Sequence, residues 1–439
     1  MHIKPQLKLF DLTMIVVSLV IGVGIFRTPA IVAQKAENEF IFYAAWIFGG
    51  LISICGALTF AEIGARLPAA GGYYKIFSYA YHPAYAFMLN WSQVIINAGS
   101  SAGVAIIGAE YITPVLFPGA TNPETIIKII AVSIIILLFA INYAGIKMGA
   151  RTQNVLSILK IVMILIFCLA IFGDHHVIRS TEYPPLTSHE PDFIRSFGIC
   201  LISIFFTYGG YQQTVNFGAD VEQANRNIPK AIFMGVGIVI FLYLLLNFAY
   251  INVIGFENMK NSPLVASTLA QAFFGPIGAT IISVVLFTSV LGFLNTSVMS
   301  NPRVYYAMAD EKILPPIFKK VNTKTQVQEF GLSFFITVMV ASVFLLGSFD
   351  KIVTYVLFID SISLASAAAA IFILRKRSAP DYSGFKMKLF PVLPILFMVT
   401  LLFVTYNTII DDSHSALIGF LIFIGGLPLY YLLKKIITA

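Results

Sequence analysis

Two glycine interruptions, Gly22-Val23-Gly24 and Gly209-Gly210, lie in the middle of long apolar runs about half a chain apart. Adjacent glycines loosen a helix and free N–H and C=O groups that hydrocarbon cannot solvate, so such breaks persist only where they line an enclosed cavity. Paired breaks at matching places in two halves of a membrane chain point to the central site of a secondary transporter. Their chemistry is that of oriented dipoles: an uncapped half-helix N-terminus suits a carboxylate, and freed carbonyls suit an ammonium group.

The first break reads Ser18-Leu-Val20-Ile21-Gly22-Val23-Gly24-Ile25-Phe26-Arg27-Thr28-Pro29. Pro29 fits the first turn of a new half-helix or a kink. Taken alone, this segment also fits a glycine-mediated contact between helices. The second break reads Phe205-Phe206-Thr207-Tyr208-Gly209-Gly210-Tyr211-Gln212-Gln213. Its aromatic residues are ordinary filler for a bilayer core, or a cover over a ligand side chain; the Gly-Gly pair favours the second reading.

Three ionisable residues fall inside apolar segments. Lys160 is expected about seven residues into the fifth span, roughly 10 Å deep at 1.5 Å per residue. A charge there costs on the order of 3 kcal/mol, so it should face the bundle with partners, holding a permanent charge or loading and releasing a proton. Glu62, four residues before Arg66 near the inner end of the second span, reads as a gate or salt-bridge residue. Asp360, near the middle of the tenth span, fits a proton relay, a partner for a cation within the bundle, or a hydrogen-bonded structural acid. Glu110 reads as interfacial.

The elements that must position these groups follow from composition. The chain has 439 residues, 58% hydrophobic and 11% charged, with a mean hydropathy of +0.86. That balance excludes a water-soluble core with a polar shell and indicates an all-α polytopic membrane protein. About twelve spans of roughly 20 residues fit, with approximate limits 9–33, 40–64, 83–112, 125–143, 153–173, 196–219, 230–254, 274–301, 331–348, 352–374, 389–409 and 415–433. The breaks then fall in spans one and six. Two five-helix blocks of opposite orientation, 9–173 and 196–374, are expected, with two additional helices at 389–433. Loops are short, so a single membrane domain carries the function.

With the N-terminus inside, twenty of the 28 lysines and arginines lie in inner segments, against six outside. Both termini are therefore expected in the cytoplasm and the protein in the cell membrane. The net charge of +7 reads as topology and affinity for anionic lipid, with no aromatic-interleaved groove for nucleic acid. Cys55, Cys168 and Cys200 are expected to be small core residues without disulfides. His175, His176 and His189, with Asp174, Glu190 and Asp192, share an outer loop whose spacing matches no zinc signature. The chain has no HExxH, phosphate-binding loop or GxSxG elbow, so neither an enzyme nor a cofactor is expected.

Gly-x-Gly-Ile-Phe with the following Thr-Pro, Tyr-Gly-Gly-Tyr, the segment Asn225 to Ile232, and Asn301-Pro302-Arg303 through Ala309 leading to Leu314-Pro315 resemble the amino acid–polyamine–organocation (APC) superfamily. The match covers nearly the whole chain and looks most like the L-amino-acid-transporter-like branch of amino acid permeases. The resemblance implies carriage of L-amino acids by alternating access, with exchange, facilitated diffusion and proton symport all open as the coupling mode and sodium coupling disfavoured by Lys160. It places the substrate carboxylate on the N–H groups of Gly22, Val23 and Gly24, beside Ile25. The α-amino group would meet carbonyls near Val20, Ile21, Phe206, Thr207 and Gly209, beside Gly210. Where the family often has Ser between the two glycines this chain has Val23, so the backbone alone must bind.

Lys160 resembles a replacement for a bound sodium ion, with expected partners near Gly22 and at Ser289. Side-chain selection is expected from Phe206, Thr207, Tyr208 and Tyr211. With no acid at the breaks, small or medium neutral amino acids are the expected cargo, with protons as a further expected partner. A carrier of polyamines or other organic cations on the same fold, and a channel or nutrient sensor, are the rival readings. Some eukaryotic relatives pair with a single-span glycoprotein through a cysteine. No cysteine here lies in an outer loop, so no accessory subunit is expected.

Overall fold

A computed structural model describes residues 3–119, 121–172, 193–262, 264–345, 349–377, 382–411 and 413–438. The histidine-bearing loop lies outside them. Sixteen helices follow in order: α1 (Leu9–Val20), α2 (Gly24–Lys35), α3 (Glu39–Arg66), α4 (Gly72–Ala80), α5 (Pro83–Leu116), α6 (Pro123–Tyr143), α7 (Ile146–Leu169), α8 (Phe193–Tyr208), α9 (Ala224–Ile254), α10 (Phe256–Lys260), α11 (Val265–Phe274), α12 (Gly278–Asp310), α13 (Glu329–Leu345), α14 (Phe349–Arg377), α15 (Val392–Asp411) and α16 (Ser413–Thr438). Each of the twelve expected segments coincides with one of these helices or with a broken run of them. Among the described residues, seven stretches are individually long and apolar enough to cross a bilayer, and α1 with α2, bent by 40°, make an eighth.

Local signals explain several starts. Asn38 caps α3 by accepting from the Ile41 N–H at 2.9 Å, and proline opens both α5 and α6, where its missing N–H costs nothing. Long apolar helices then pack through small residues, as expected where lipid tails are as apolar as the partner helix. A Cβ on Gly235 of α9 would meet Val16 of α1 at 2.5 Å, and one on Gly50 of α3 would meet Ile240 of α9 at 3.2 Å. Trp46 of α3 sits fully buried with its ring edge-on to Tyr208 at 5.7 Å and to Tyr243 at 6.2 Å, which locks α3, α8 and α9 together. All three cysteines are buried and free.

Several expectations shift. The sixth span was expected to run to residue 219, but its α-helix stops at Tyr208 and resumes as a 3-10 turn over Tyr211–Asn216. Gly210, at φ +113°, occupies backbone space that disfavours a side chain. The eighth span was expected to end at residue 301; α12 instead continues to Asp310, so Arg303, counted above as a loop residue, is buried inside it. The fifth span begins at Ile146. Lys160 is then fourteen residues along α7, about 21 Å from its start, and its position is central where a shallow one was expected.

Arg303 is held in place by Asp220, which accepts from its Nε at 2.6 Å and its Nη2 at 3.0 Å; Arg303 also donates to the Met299 carbonyl and lies over the Phe217 ring at 4.6 Å. The Asp220 carbonyl accepts from the Gln6 and Leu7 amides at 2.7 and 2.8 Å, tying the N-terminal segment to the same point. Removing one partner of a buried, hydrogen-bonded pair leaves the other charge uncompensated, at about 3–5 kcal/mol. Asp220→Ala should therefore lower thermal stability by about that much in detergent, whereas Lys319→Ala, on an exposed ion pair, should leave it nearly unchanged.

Candidate functional site

The two breaks meet. There is no room for a Cβ on Gly210 against the Leu19 carbonyl, and one on Gly24 would lie 3.3 Å from Thr207 Cγ2 and Oγ1. Thr207 in turn donates to Thr28 Oγ1 and to the Ser203 carbonyl, both at 2.9 Å. The half-helices α2 and α8 are thereby pinned beside one another. Beside the first break, Gly22 faces open space: a Cβ there would have nothing within 4 Å.

Tracing the freed main-chain groups shows which remain open. Gly22 N–H folds back to the Val20 carbonyl at 2.9 Å and Phe26 N–H reaches the Val23 carbonyl at 3.1 Å. No side chain caps α2, so its first-turn amides at Val23, Gly24 and Ile25 are the donors available to an anion. On the carbonyl side the expected set narrows. Val20 also accepts from the Tyr243 hydroxyl at 2.9 Å, Ile21 accepts from Lys160 at 2.7 Å, and Phe206 accepts from Gly209 N–H at 3.2 Å. Among the described residues no backbone donor reaches the carbonyls of Thr207 or Gly209, which leaves these two best placed for an ammonium group. The Gly210 N–H is satisfied by Gln212 Oε1 at 2.8 Å.

Lys160 is 1% exposed and donates to Ser18 Oγ at 2.8 Å, the Ile21 carbonyl at 2.7 Å and the Ser18 carbonyl at 3.4 Å. A cation at the C-terminal end of α1 meets the negative pole of that helix, which has no basic residue of its own in its last turn. The partner expected on α12 is different. Ser289 Oγ has no partner among the described residues, and the contact is Gly292, where a Cβ would press on Lys160 Cε and Nζ at 2.7 Å. Three residues separate the two positions, close to one helical turn, which is why spacing alone did not distinguish them.

Two expected side-chain selectors face elsewhere. Tyr208, 1% exposed, turns its ring to Trp46 and Tyr243, and Tyr211 packs its hydroxyl into the notch at Gly56 of α3 with Phe60 at 6.3 Å. Both serve the α3 contact. Phe206 is 45% exposed and remains free to cover a ligand. Glu62, expected as a gate or salt-bridge residue, is fully buried and fully engaged in salt bridges: it accepts from Arg66 Nε at 2.7 Å, Arg375 Nε at 2.8 Å, Arg375 Nη2 at 2.7 Å and the Met387 amide at 2.8 Å. It clamps α3 to α14 and the segment before α15.

Below the second break, toward the face bearing the N-terminus, lies a small chamber of about 30 Å³. Gln212 and Gln213 from the 3-10 turn, Gln93 and Asn97 from α5, Asn301 from α12 and Asp360 from α14 all contribute to its wall. Gln93 Nε2 donates to Asp360 Oδ1 at 2.6 Å. This amide cluster was not singled out in the sequence, although Gln212-Gln213 directly after Gly-Gly-Tyr was the available signal.

Broken spans in contact, open main-chain dipoles between them and a lysine sealing one broken end define a membrane carrier of the broken-helix type. The amino acid permease pattern matches residues 7–427. The serine/threonine exchanger SteT of Bacillus subtilis (strain 168) is 31% identical over 99% of this chain and 98% of its own. The human cystine/glutamate transporter is 27% identical over 98% and 85%, and the human large neutral amino acids transporter small subunit 2 is 25% identical over 98% and 80%. The chain belongs to the amino acid permease family of the APC superfamily, in its L-amino-acid-transporter-like group.

Two outcomes test this geometry. Gly210→Val requires a strained φ and a clash with the Leu19 carbonyl, so uptake should fall to background while the protein still reaches the membrane; uptake at half the wild-type rate or above would remove the break from the site. Lys160→Met strips the donors from the Ile21 and Ser18 groups at about 1–3 kcal/mol for the unsatisfied acceptors. A lower melting temperature together with lost transport is expected, and unchanged flux would show that the seal is dispensable.

Proposed function

We propose that this protein is a sodium-independent carrier of neutral, small to medium L-amino acids, working by alternating access and mainly by exchange. The observation that carries this reading is the juxtaposition of the open Val23–Ile25 amides with the open Thr207 and Gly209 carbonyls. Donors for a carboxylate and acceptors for an ammonium group lie on two segments in contact at Gly24 and Thr207, a pairing that would suit the common α-amino acid head. The Lys160 ammonium group, already seated on α1 carbonyls, would fill the role a bound cation plays at a broken helix end, so sodium has no task there. Exchange is favoured by the relative named as a serine/threonine exchanger; neutral cargo is favoured by that relative and by the large neutral amino acids transporter.

The proposed cycle uses two inverted five-helix repeats, residues 9–173 and 196–374, with the helices over 389–433 as additions. Both termini lie in the cytoplasm and the protein sits in the cell membrane without an accessory subunit. Residues 20–25 and 206–211 form the substrate region, chiefly through main chain, with Phe206 as its cover. The Glu62 and Asp220 clusters hold the terminal face closed, and reopening that face requires these ion pairs to rearrange.

Reconstituted protein loaded with unlabelled alanine should take up labelled alanine several-fold faster than empty vesicles do, equally in sodium and in choline buffer. Neutral L-amino acids should inhibit and putrescine should not. Flux independent of internal amino acid would identify a channel, and inhibition by amines alone would identify a carrier of organic cations.

A further inference from the structure

The chamber beside the second break has a chemistry that the main-chain site does not supply, and no relative's name says which residue would provide it. Asp360 carries the one ionisable carboxylate in its wall, and no lysine, arginine or histidine is among the described residues that line it. The nearest strong cation in sequence to that wall, Arg303, is spent on Asp220. Asp360 is enclosed by protein yet partly accessible through the cavity. Its Oδ1 accepts from Gln93, and its Oδ2 has no hydrogen-bond partner among the described residues. Tyr305, also in the wall and 1% exposed, has a hydroxyl without a partner. An acceptor open to the cavity beside a buried hydroxyl that lacks a partner among the described residues leaves two polar groups that a ligand could complete.

Gln212 connects this chamber to the break, since its Oε1 holds the Gly210 amide while the residue lines the chamber. A zwitterion whose head group sits on the breaks would direct its side chain past Gln212 toward Asp360. We propose that Asp360, oriented by Gln93, reads the end of the substrate side chain and selects those that donate a hydrogen bond, hydroxyl, amide or ammonium, over apolar side chains of the same shape, while repelling carboxylates. This rests on the amino acid carrier reading and adds to it the identity of the group that discriminates. It also amends the expectation that the site lacks an acid, and with it the neutral cargo that followed: the breaks themselves have none, but the adjoining chamber has one, so side chains ending in an ammonium group join the proposed cargo.

Isosteric pairs test it on the unmodified protein. In vesicles taking up labelled alanine, threonine should inhibit at about one tenth the concentration of valine or less, ornithine likewise against norleucine, and asparagine against aspartate, since a site built to hydrogen-bond rejects an analogue lacking the group far more strongly than it senses a methylene. The first pair measures neutral donors and the second cationic ones; a preference in either supports the proposal, and parity in both overturns it. In Asp360→Asn the donor preferences should shrink to about threefold or less and aspartate should begin to compete. Ratios are taken within each variant, so a general loss of protein cancels. Should Asp360→Asn yield no protein, Gln93→Leu, which leaves the carboxylate unoriented, should shrink the same ratios. If wild-type vesicles take up no alanine, the carrier reading fails on its own. Threonine raising the melting temperature of purified protein more than valine does would then still support the chamber's preference, and equal shifts would overturn it.

Discussion

Everything in this structure is arranged around unpaired main chain in a place where water cannot reach it. A broken helix in hydrocarbon exposes carbonyls and amides worth several kcal/mol each if left alone, and the fold disposes of them one at a time. Lys160 closes the C-terminal end of α1 through Ser18 and Ile21, Tyr243 takes the Val20 carbonyl, and Gln212 takes the Gly210 amide. What is left over, the first amides of α2 and the carbonyls of Thr207 and Gly209, is what a substrate can complete. In the proposed carrier, binding and structural completion would then be one event, and the selectivity of the head-group site would follow from which groups the protein leaves unpaired.

The supporting polar layer follows the same logic. Asn295 donates to Gln153 Oε1 at 2.8 Å and to the Gly149 carbonyl at 3.1 Å, and accepts from Asn142 at 2.7 Å; Ser157, bonded to Gln153, reaches the Met14 carbonyl at 2.8 Å. These contacts run from α6 through α12 and α7 to α1, one turn from Lys160. A network this fully satisfied rigidifies the surfaces it joins. The lysine is therefore positioned by a wall of small and amide side chains, with Gly292 supplying the hollow into which its ammonium fits.

Much of this was legible in the chain. Glycine pairs inside apolar runs located both breaks, because no other local signal survives mid-membrane without a structural reason, and the isolated Lys160 announced that partners must exist. Glu62 and Arg66 read correctly as a salt bridge from their four-residue spacing. The partners themselves were less accessible. Ser289 and Gly292 lie nearly a turn apart, and a hollow made by a missing side chain carries no chemical label. Tyr208 and Tyr211 looked like ligand covers because they flank the glycines, but direction is set by the helix ending at Tyr208 and the tighter turn that follows, which rotates both rings toward α3. Asp220 and the amides of the chamber are contributed by four separate elements, and no local pattern predicts their meeting.

The contact between Gly210 and the Leu19 carbonyl has a mechanical meaning. Because the two discontinuities touch backbone to backbone, with no compressible side chain between them, they behave as a single joint. In the proposed carrier a displacement of one half-helix would be passed to the other by direct steric contact, so the two ends of the pathway would share one degree of freedom. Such a linkage opposes a continuous leak across the bilayer without needing a separate latch for each side.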